Sequence, residues 1–262
     1  MWEMDFITED DFRTHVANTI NAYANNLASY DIKAFNKNIV DPIKLIFDKS
    51  VYGLSWAEVI KSEVFRQRDK SNNNSIGYFH QKIFSYFADC EVPQQGWDVI
   101  YQPAEGVDAF SNLHVSKVYV EMKNKHNTMN SASAGKTYIK MQNQLLKDDD
   151  CACFLVEAIA KQSQNSQWDV SIDGQKQGHK LIRRVSLDKF YELVTGDPNA
   201  FYKICVALPR VIDYVLKNVP DVQAPKDTVI EELLEMAGGE ESSIPIALYF
   251  LGFYEYLGFI NE

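Results

Sequence analysis

Residues 118–125 read VYVEMKNK, an apolar start that passes into charge at Glu121 and Lys123. On a strand, a period of two puts Glu121 and Lys123 on one face and Met122 on the other. Upstream, WDVIY (97–101) and VDAF (107–110) carry the same short apolar pattern, separated by Pro103 and Gly106, so three strands are predicted. Ser111-Asn112 begins a polar turn that would join the last two as an antiparallel hairpin. In that hairpin Asp108, thirteen positions before Glu121, would meet it across neighbouring strands. Asp98 is the competing aspartate, in a strand pattern but twenty-three positions away.

Working outward, CACFLVEAIA (151–160) is apolar enough for a buried strand, and residues 136–147 form a helix after the small-residue loop at 130–135. Residues 168–173 and 179–185 read as a second hairpin closed by Gly174 to Gly178. Asp197-Pro198 caps a long helix toward Val219, in which Pro209 stands as a kink position. The N-terminal part is helical: residues 12–30 and 54–68 have apolar positions at helical spacing, and Asp41-Pro42 starts a helix between them. KSNNNS (70–75) is read as a polar break, with Ser75 capping a further helix to Phe87. Residues 220–225 resemble a linker, and the acidic tail with Gly238-Gly239 and the aromatic run 248–259 reads as two helices. The expected architecture is α/β, a mixed β-sheet flanked by helices, with added helices at both termini. The expected divisions are an N-terminal helical region (1–70), a core (71–215) and a C-terminal helical segment (216–262) belonging to that core or beside it.

Composition limits what such a chain can be. Its 262 residues are 46% hydrophobic and 13% aromatic, ample for a packed core and against disorder as the main state. No apolar run approaches the ~20 residues of a membrane helix, and the acidic start MWEMDFITEDDF differs from a basic signal peptide, so a cytoplasmic protein without membrane contact is expected. The four cysteines lack zinc-site spacing and read as reduced thiols. The net charge of −10 speaks mildly against a nucleic-acid partner, but residues 117–147 hold six lysines against the single acid Glu121.

An aspartate and a glutamate brought together repel unless a cation lies between them, and hard oxygen ligands suit Mg²⁺. A lysine beside them can orient or deprotonate a water, which completes a set suited to metal-assisted phosphodiester hydrolysis. E-x-K on a strand also fits a solvated polar face. Against that, Glu121 and Lys123 end an apolar strand and run into NKHNTMNS (124–131), a series of donors without an acid that suits phosphate and base contacts.

The stretches NSIGYFHQKIF (74–84), GVDAF (106–110), VYVEMKNKHNTMNSASAGKTYIKMQNQLL (118–146), VEAIAKQSQNSQWDVSIDG (156–174) and IRRVSLDKFYELVTGDPNAFYKIC (182–205) resemble type II restriction endonucleases. The group resembled cuts interrupted GG/CC sites such as GGNCC or GGWCC, within the PD-(D/E)XK nuclease superfamily. The likeness covers about residues 70–215, and EMKNKHNTMNS is its most specific piece. It implies Asp108 and Glu121 as Mg²⁺ ligands with the Met122 carbonyl, Lys123 as the water-activating residue, and products with 5′-phosphates. Val107 replaces the proline that precedes the aspartate in the superfamily, which leaves Asp98 open as the alternative. Gln81 matches a helix position near the metal, and an exposed helix glutamine explains it as well.

DNA contacts are expected from Asn124, Lys125, His126, Asn127, Asn130, Ser131, Lys136 and Lys140, with Lys180, Arg183 and Arg184 on the second hairpin as guanine readers. Solvated surface charge explains the arginines equally. A near-palindromic double-stranded site is most simply read by a homodimer, and a host carrying such an enzyme needs a cognate methyltransferase. The competing readings are a non-catalytic DNA-binding protein on a nuclease fold and a nuclease for structured or modified DNA.

Overall fold

The computed structural model of the chain describes residues 2–104, 113–126, 129–218, 225–253 and 256. It divides into two compact units, residues 1–20 with 75–219 and residues 21–74 with 220–262. The elements are, in order, helices α1 (Glu9–Asn26), α2 (Ile32–Asn36), α3 (Pro42–Tyr52) and α4 (Trp56–Lys82), then strands β1 (Cys90–Glu91), β2 (Val99–Tyr101) and β3 (Lys117–Lys125). Helix α5 (Ser131–Lys147) leads to β4 (Cys151–Ile159), β5 (Asn165–Ile172) and β6 (Gln175–Ser186). Helices α6 (Leu187–Thr195), α7 (Ala200–Leu216), α8 (Val229–Met236) and α9 (Ile244–Gly252) follow. Both α1 and α4 contribute residues to each unit.

The first unit is a six-stranded mixed sheet in the order β1-β2-β3-β4-β6-β5, parallel at β3/β4 and β4/β6 and antiparallel elsewhere. This is the restriction-endonuclease-like α/β arrangement expected. Helix α5 joins the parallel pair β3 and β4, as a crossover must. Strand β4 is covered on both faces, which is why it reads as a nearly unbroken apolar run. Its Phe154 and Val156 join Val118, Val120, Val99 and Val185 under Phe84, Phe190 and Ile204. Its Cys153 and Leu155 face the other way, against Tyr138 and Met141 of α5 with Trp168 and Ile182. Each such side chain, fully buried, contributes about 1.5–3 kcal/mol. All four cysteines are free thiols.

Local expectations change in places. Among the described residues the antiparallel neighbour of β3 is Val99–Tyr101, paired Val99↔Val120 and Tyr101↔Val118. Residues 105–112, with Asp108, lie outside the described residues. The polar break at 70–75 is absent, because α4 runs through it. Asn73 turns its Nδ2 back onto the Asp69 carbonyl and carboxylate at 2.9 Å each, inside the helix turn. The propensity cost of such residues, a few tenths of a kcal/mol each, is a weak prior that packing overrides. Likewise residues 131–135 are the first turn of α5, capped by Asn130, whose side chain accepts from the Ser133 amide at 2.9 Å. Helix α6, not anticipated from the sequence, ends at Gly196 in the left-handed conformation (φ 71°).

The second hairpin is longer and tighter than predicted. Ile172 pairs with Gln175, leaving Asp173 and Gly174, at φ 50° and 77°, as a two-residue turn of the kind that matches strand twist.

The second unit is helical. Asp41 caps α3 by accepting from the Ile43 and Lys44 amides, with Pro42 in the first turn, as the Asp-Pro signal predicts. Phe35, Leu45, Trp56 and Ile60 pack with Leu233, Ile244 and Leu248. The aromatic run 248–259 thus begins in this core, while residues 254–255 and 257–262 lie outside the described part. The unit draws on chain segments from before and after the sheet-forming part, residues 21–74 and 220–262. No helix among the described residues is long and apolar enough to cross a membrane.

Candidate active site

The face of the sheet that carries α5 is apolar over most of its area and becomes charged where β3 continues past β2. Asp98 immediately precedes β2, and its amide donates to the Val120 carbonyl at 3.0 Å. Its carboxylate then does what the next main-chain group would do: Oδ2 accepts from the Met122 amide at 2.7 Å. Continuing the register from Val99↔Val120 sets Asp98 opposite Glu121. Cross-strand partners point to one face, so Asp98 shares the α5 face with Glu121 and Lys123. Because N–H and C=O of one strand residue point to the same neighbour, the Met122 carbonyl faces this side too.

Two ammonium groups hold Glu121. Lys123 Nζ donates to Oε1 at 2.9 Å, and Lys140 Nζ, reaching from α5, donates to Oε2 at 2.7 Å. Lys140 also donates to the Gly96 carbonyl and lies 4.1 Å from the centre of the Trp97 ring. Burial works against ionisation of Glu121, but the hydrogen bonds from Lys140 and Lys123 outweigh it and hold the carboxyl below the usual range. Asp98 moves the other way. Burial raises its pKa, and the negative Glu121 adds to the rise, against the opposing Met122 amide and the two lysines.

The remaining sequence candidates divide. Gln81 donates Nε2 to the Asp98 main-chain carbonyl at 3.2 Å, which fixes the aspartate from behind. Asn124 lies against Gly77 of α4, where an added Cβ would come within 3.4 Å of its amide group. Asn130 is the α5 cap. Ser131, Lys136 and Lys180 are exposed, and Lys125 is at the exposed end of β3. Asn127, like Asp108, is outside the described residues. Arg183 and Arg184 pair with Phe154 and Leu155 of β4, so they leave the sheet on opposite faces. Arg183 is turned onto Asn165 and half-buried.

Arg184 belongs to a second charged cluster on the α5 face. It binds the carboxylate of Glu157, which is 1% exposed, and His126 Nδ1 lies 3.1 Å from the other carboxylate oxygen and 2.7 Å from Arg184 Nη2. Burial disfavours the Glu157 charge, but Arg184 and His126 overcome it and lower its pKa. In the register of β3 and β4, Glu157 stands beside Lys123.

Sequence reasoning left Asp98 as an alternative and gave Lys140 a phosphate role. The available signal was parity: Asp98 alternates with Val99 and Tyr101, so the aspartate falls on the face opposite those two core residues. The Glu157 cluster carried no signal, because its members lie 31 and 27 residues apart in the chain.

The donors at Asp98, Glu121 and the Met122 carbonyl are all hard oxygens. Among the described residues no group of three or more His, Cys, Asp or Glu gathers as a metal cage. Two carboxylates with room for water and a substrate phosphate are nevertheless what a Mg²⁺ ion of a phosphoryl-transfer enzyme takes, so the residues fit such an ion.

The model of the Eco47II restriction endonuclease family matches residues 4–217. Among curated proteins, the type II restriction enzyme Sau96I of Staphylococcus aureus is 28% identical over 218 residues, 80% of each chain. The type II restriction enzyme Eco47II of Escherichia coli is 28% identical over 227 residues, 82% of this chain and 89% of its own. With the family model spanning the whole sheet and the charged end of β3, the chain belongs to the Eco47II restriction endonuclease family.

Proposed function

We propose that this chain is a type II restriction endonuclease that hydrolyses double-stranded DNA at a GG/CC-containing, near-palindromic site with Mg²⁺, leaving 5′-phosphates. One observation carries the reading: Asp98, Glu121 and Lys123 converge on one face at the open end of β3. Asp98, Glu121 and the Met122 carbonyl would hold the ion. When bound, it would polarise the scissile phosphate and lower the pKa of the attacking water. Lys123, anchored on Glu121, would hold that water by its oxygen and set its direction. Gln81 acts on Asp98 through the main chain.

This assigns the aspartate role to Asp98 and leaves Asp108 as the alternative to be tested. Guanine contacts would come from the second hairpin, with Lys180 and, on leaving Asn165, Arg183 as donors to O6 and N7, while Arg184 stays on Glu157 and braces β6 from the other face; Lys136 and the segment after β3 would contact phosphates. A two-fold site would be read by a homodimer, and a methyltransferase of the same specificity would protect host DNA.

Digestion of a plasmid of known sequence with Mg²⁺ or EDTA, followed by sequencing of the ends, tests the reading. Discrete metal-dependent fragments ending at GG/CC sites are expected, lost in Glu121→Ala and Asp98→Asn and kept in Asp108→Asn. Cleavage retained by Asp98→Asn but lost by Asp108→Asn would reverse the assignment. DNA left intact by the wild-type protein across metals and sites would overturn the function.

A further inference from the structure

We propose that Lys140 is the resident counter-cation of the candidate active site, occupying Glu121 Oε2 in the metal-free protein and releasing it when a divalent cation binds. The inference rests on the reading of Asp98 and Glu121 as metal ligands. It concerns a residue outside the Asp, Glu and Lys of that reading.

Charge is the first argument. Asp98 and Glu121 bring two negative charges to the α5 face, and Lys123 and Lys140 bring two positive ones. Among the described residues these charges balance without any metal, and a divalent ion enters a place where both oxygens of Glu121 already accept from ammonium groups. A lone pair remains on each oxygen, but a metal bound there meets the positive charge of the ammonium beside it, and that repulsion drives one lysine off. A cation so placed competes with the metal as one charge competes with another at hydrogen-bond distance.

Anchoring decides which lysine moves. Lys123 stands on the same strand as Glu121, two residues on, and among the described residues its side chain bonds that carboxylate alone. Lys140 approaches from α5 with two further contacts that do not involve Glu121: the Gly96 carbonyl and the face of Trp97, 4.1 Å from the ring centre. A carbonyl and an aromatic face are both good resting places for an ammonium. When Oε2 is claimed by a metal, Lys140 keeps these two contacts and withdraws by a rotation of its long stem. Its side chain is 37% exposed, so the space for that rotation opens to solvent. The arrangement makes metal-free Glu121 ionised and held in position, and it lowers the affinity of the DNA-free protein for metal.

Mn²⁺ binding to the intact DNA-free protein, followed by electron paramagnetic resonance of the free ion at pH 7.5, reads this directly. Lys140→Met keeps the length of the stem and removes the charge. It is expected to tighten Mn²⁺ binding about tenfold, the effect of removing one like charge beside a charged site. Lys140→Arg, still a cation, is expected to remain near the wild type, and Glu121→Gln to lose the site. Lys140→Gln provides a second uncharged variant, and circular dichroism melts establish that each variant is folded. Binding by Lys140→Met and Lys140→Gln equal to or weaker than wild type, with Glu121→Gln still losing the ion, would overturn the counter-cation role and leave the metal site standing. Wild-type binding unaffected by Glu121→Gln would overturn the metal-site reading, and this inference with it.

Discussion

Glu121 and Glu157 stand on neighbouring strands, on the same face of the sheet, and both are held below the usual carboxyl range. They differ in their partners and their depth. Glu121 is 18% exposed and meets two lysines, point charges on flexible stems that can be exchanged for another cation. Glu157 is 1% exposed and meets an arginine and a histidine. The planar guanidinium is always charged and cannot be swapped for a metal without leaving a buried charge unpaired. The sheet thus keeps one carboxylate available and locks the other, and the difference is made by the cation as much as by the acid.

The largest expected effect separates the two in function. Glu121→Ala should lower the cleavage rate by at least about a thousandfold, the worth of several kcal/mol of metal-assisted stabilisation. Its urea midpoint should barely move, because pairs with lysines this exposed contribute under about 1 kcal/mol. A large loss of stability in Glu121→Ala would break the comparison. Glu157→Gln should do the reverse. It leaves Arg184 without its buried counter-charge and should cost about 2–4 kcal/mol in urea unfolding, while the folded fraction still cuts.

The pH dependence sharpens the same contrast. The native pKa of Glu157 lies below its unfolded value, so its contribution to stability is full above about pH 4.5 and is lost as pH falls through the depressed native value. The gap in stability between wild type and Glu157→Gln should therefore close in acid. His15 contributes over a higher window. Burial takes its pKa down to about 4 against a hydrogen bond to the Phe79 carbonyl. Stability from keeping it neutral is full above about pH 6.5 and is lost on the way to pH 4, so the measurement is cleanest in a His15→Gln background. The smallest expected effect is that of Arg184→Lys, about 1 kcal/mol, since the shorter lysine keeps the charge but not the reach that sets Nη2 against both Glu157 and His126. A neutral outcome in thermal melts would show that charge alone holds Glu157.

Much of the fold could be read from the residues. The unbroken apolar run of β4, the alternation of β3 and the Asp41-Pro42 start all express local physics directly. The polar stretch at 70–75 could not be read, because five weak preferences against helix are outweighed by packing at either end of α4. The site was half legible. Glu121 and Lys123 follow from spacing within one strand, whereas the partner aspartate depends on which strand lies alongside. Spacing favours the nearer Asp108, which lies outside the described residues, whereas the register of β2 and β3 brings Asp98 opposite Glu121. Lys140 meets Glu121 only through the packing of α5 on the sheet, and Glu157 meets Arg184 and His126 only through the parallel pairing of β3, β4 and β6, long-range arrangements that no window of sequence contains.

The bond from the Met122 amide to the Asp98 side chain has a practical consequence. Asparagine retains a carbonyl oxygen that can accept it, so Asp98→Asn preserves the seam between β2 and β3 while removing the charge. A protein silenced there would still fold and still embrace its target. It would be the reagent of choice for capturing uncut DNA in a crystal or a footprint, where Asp98→Ala would unstitch the strand end as well.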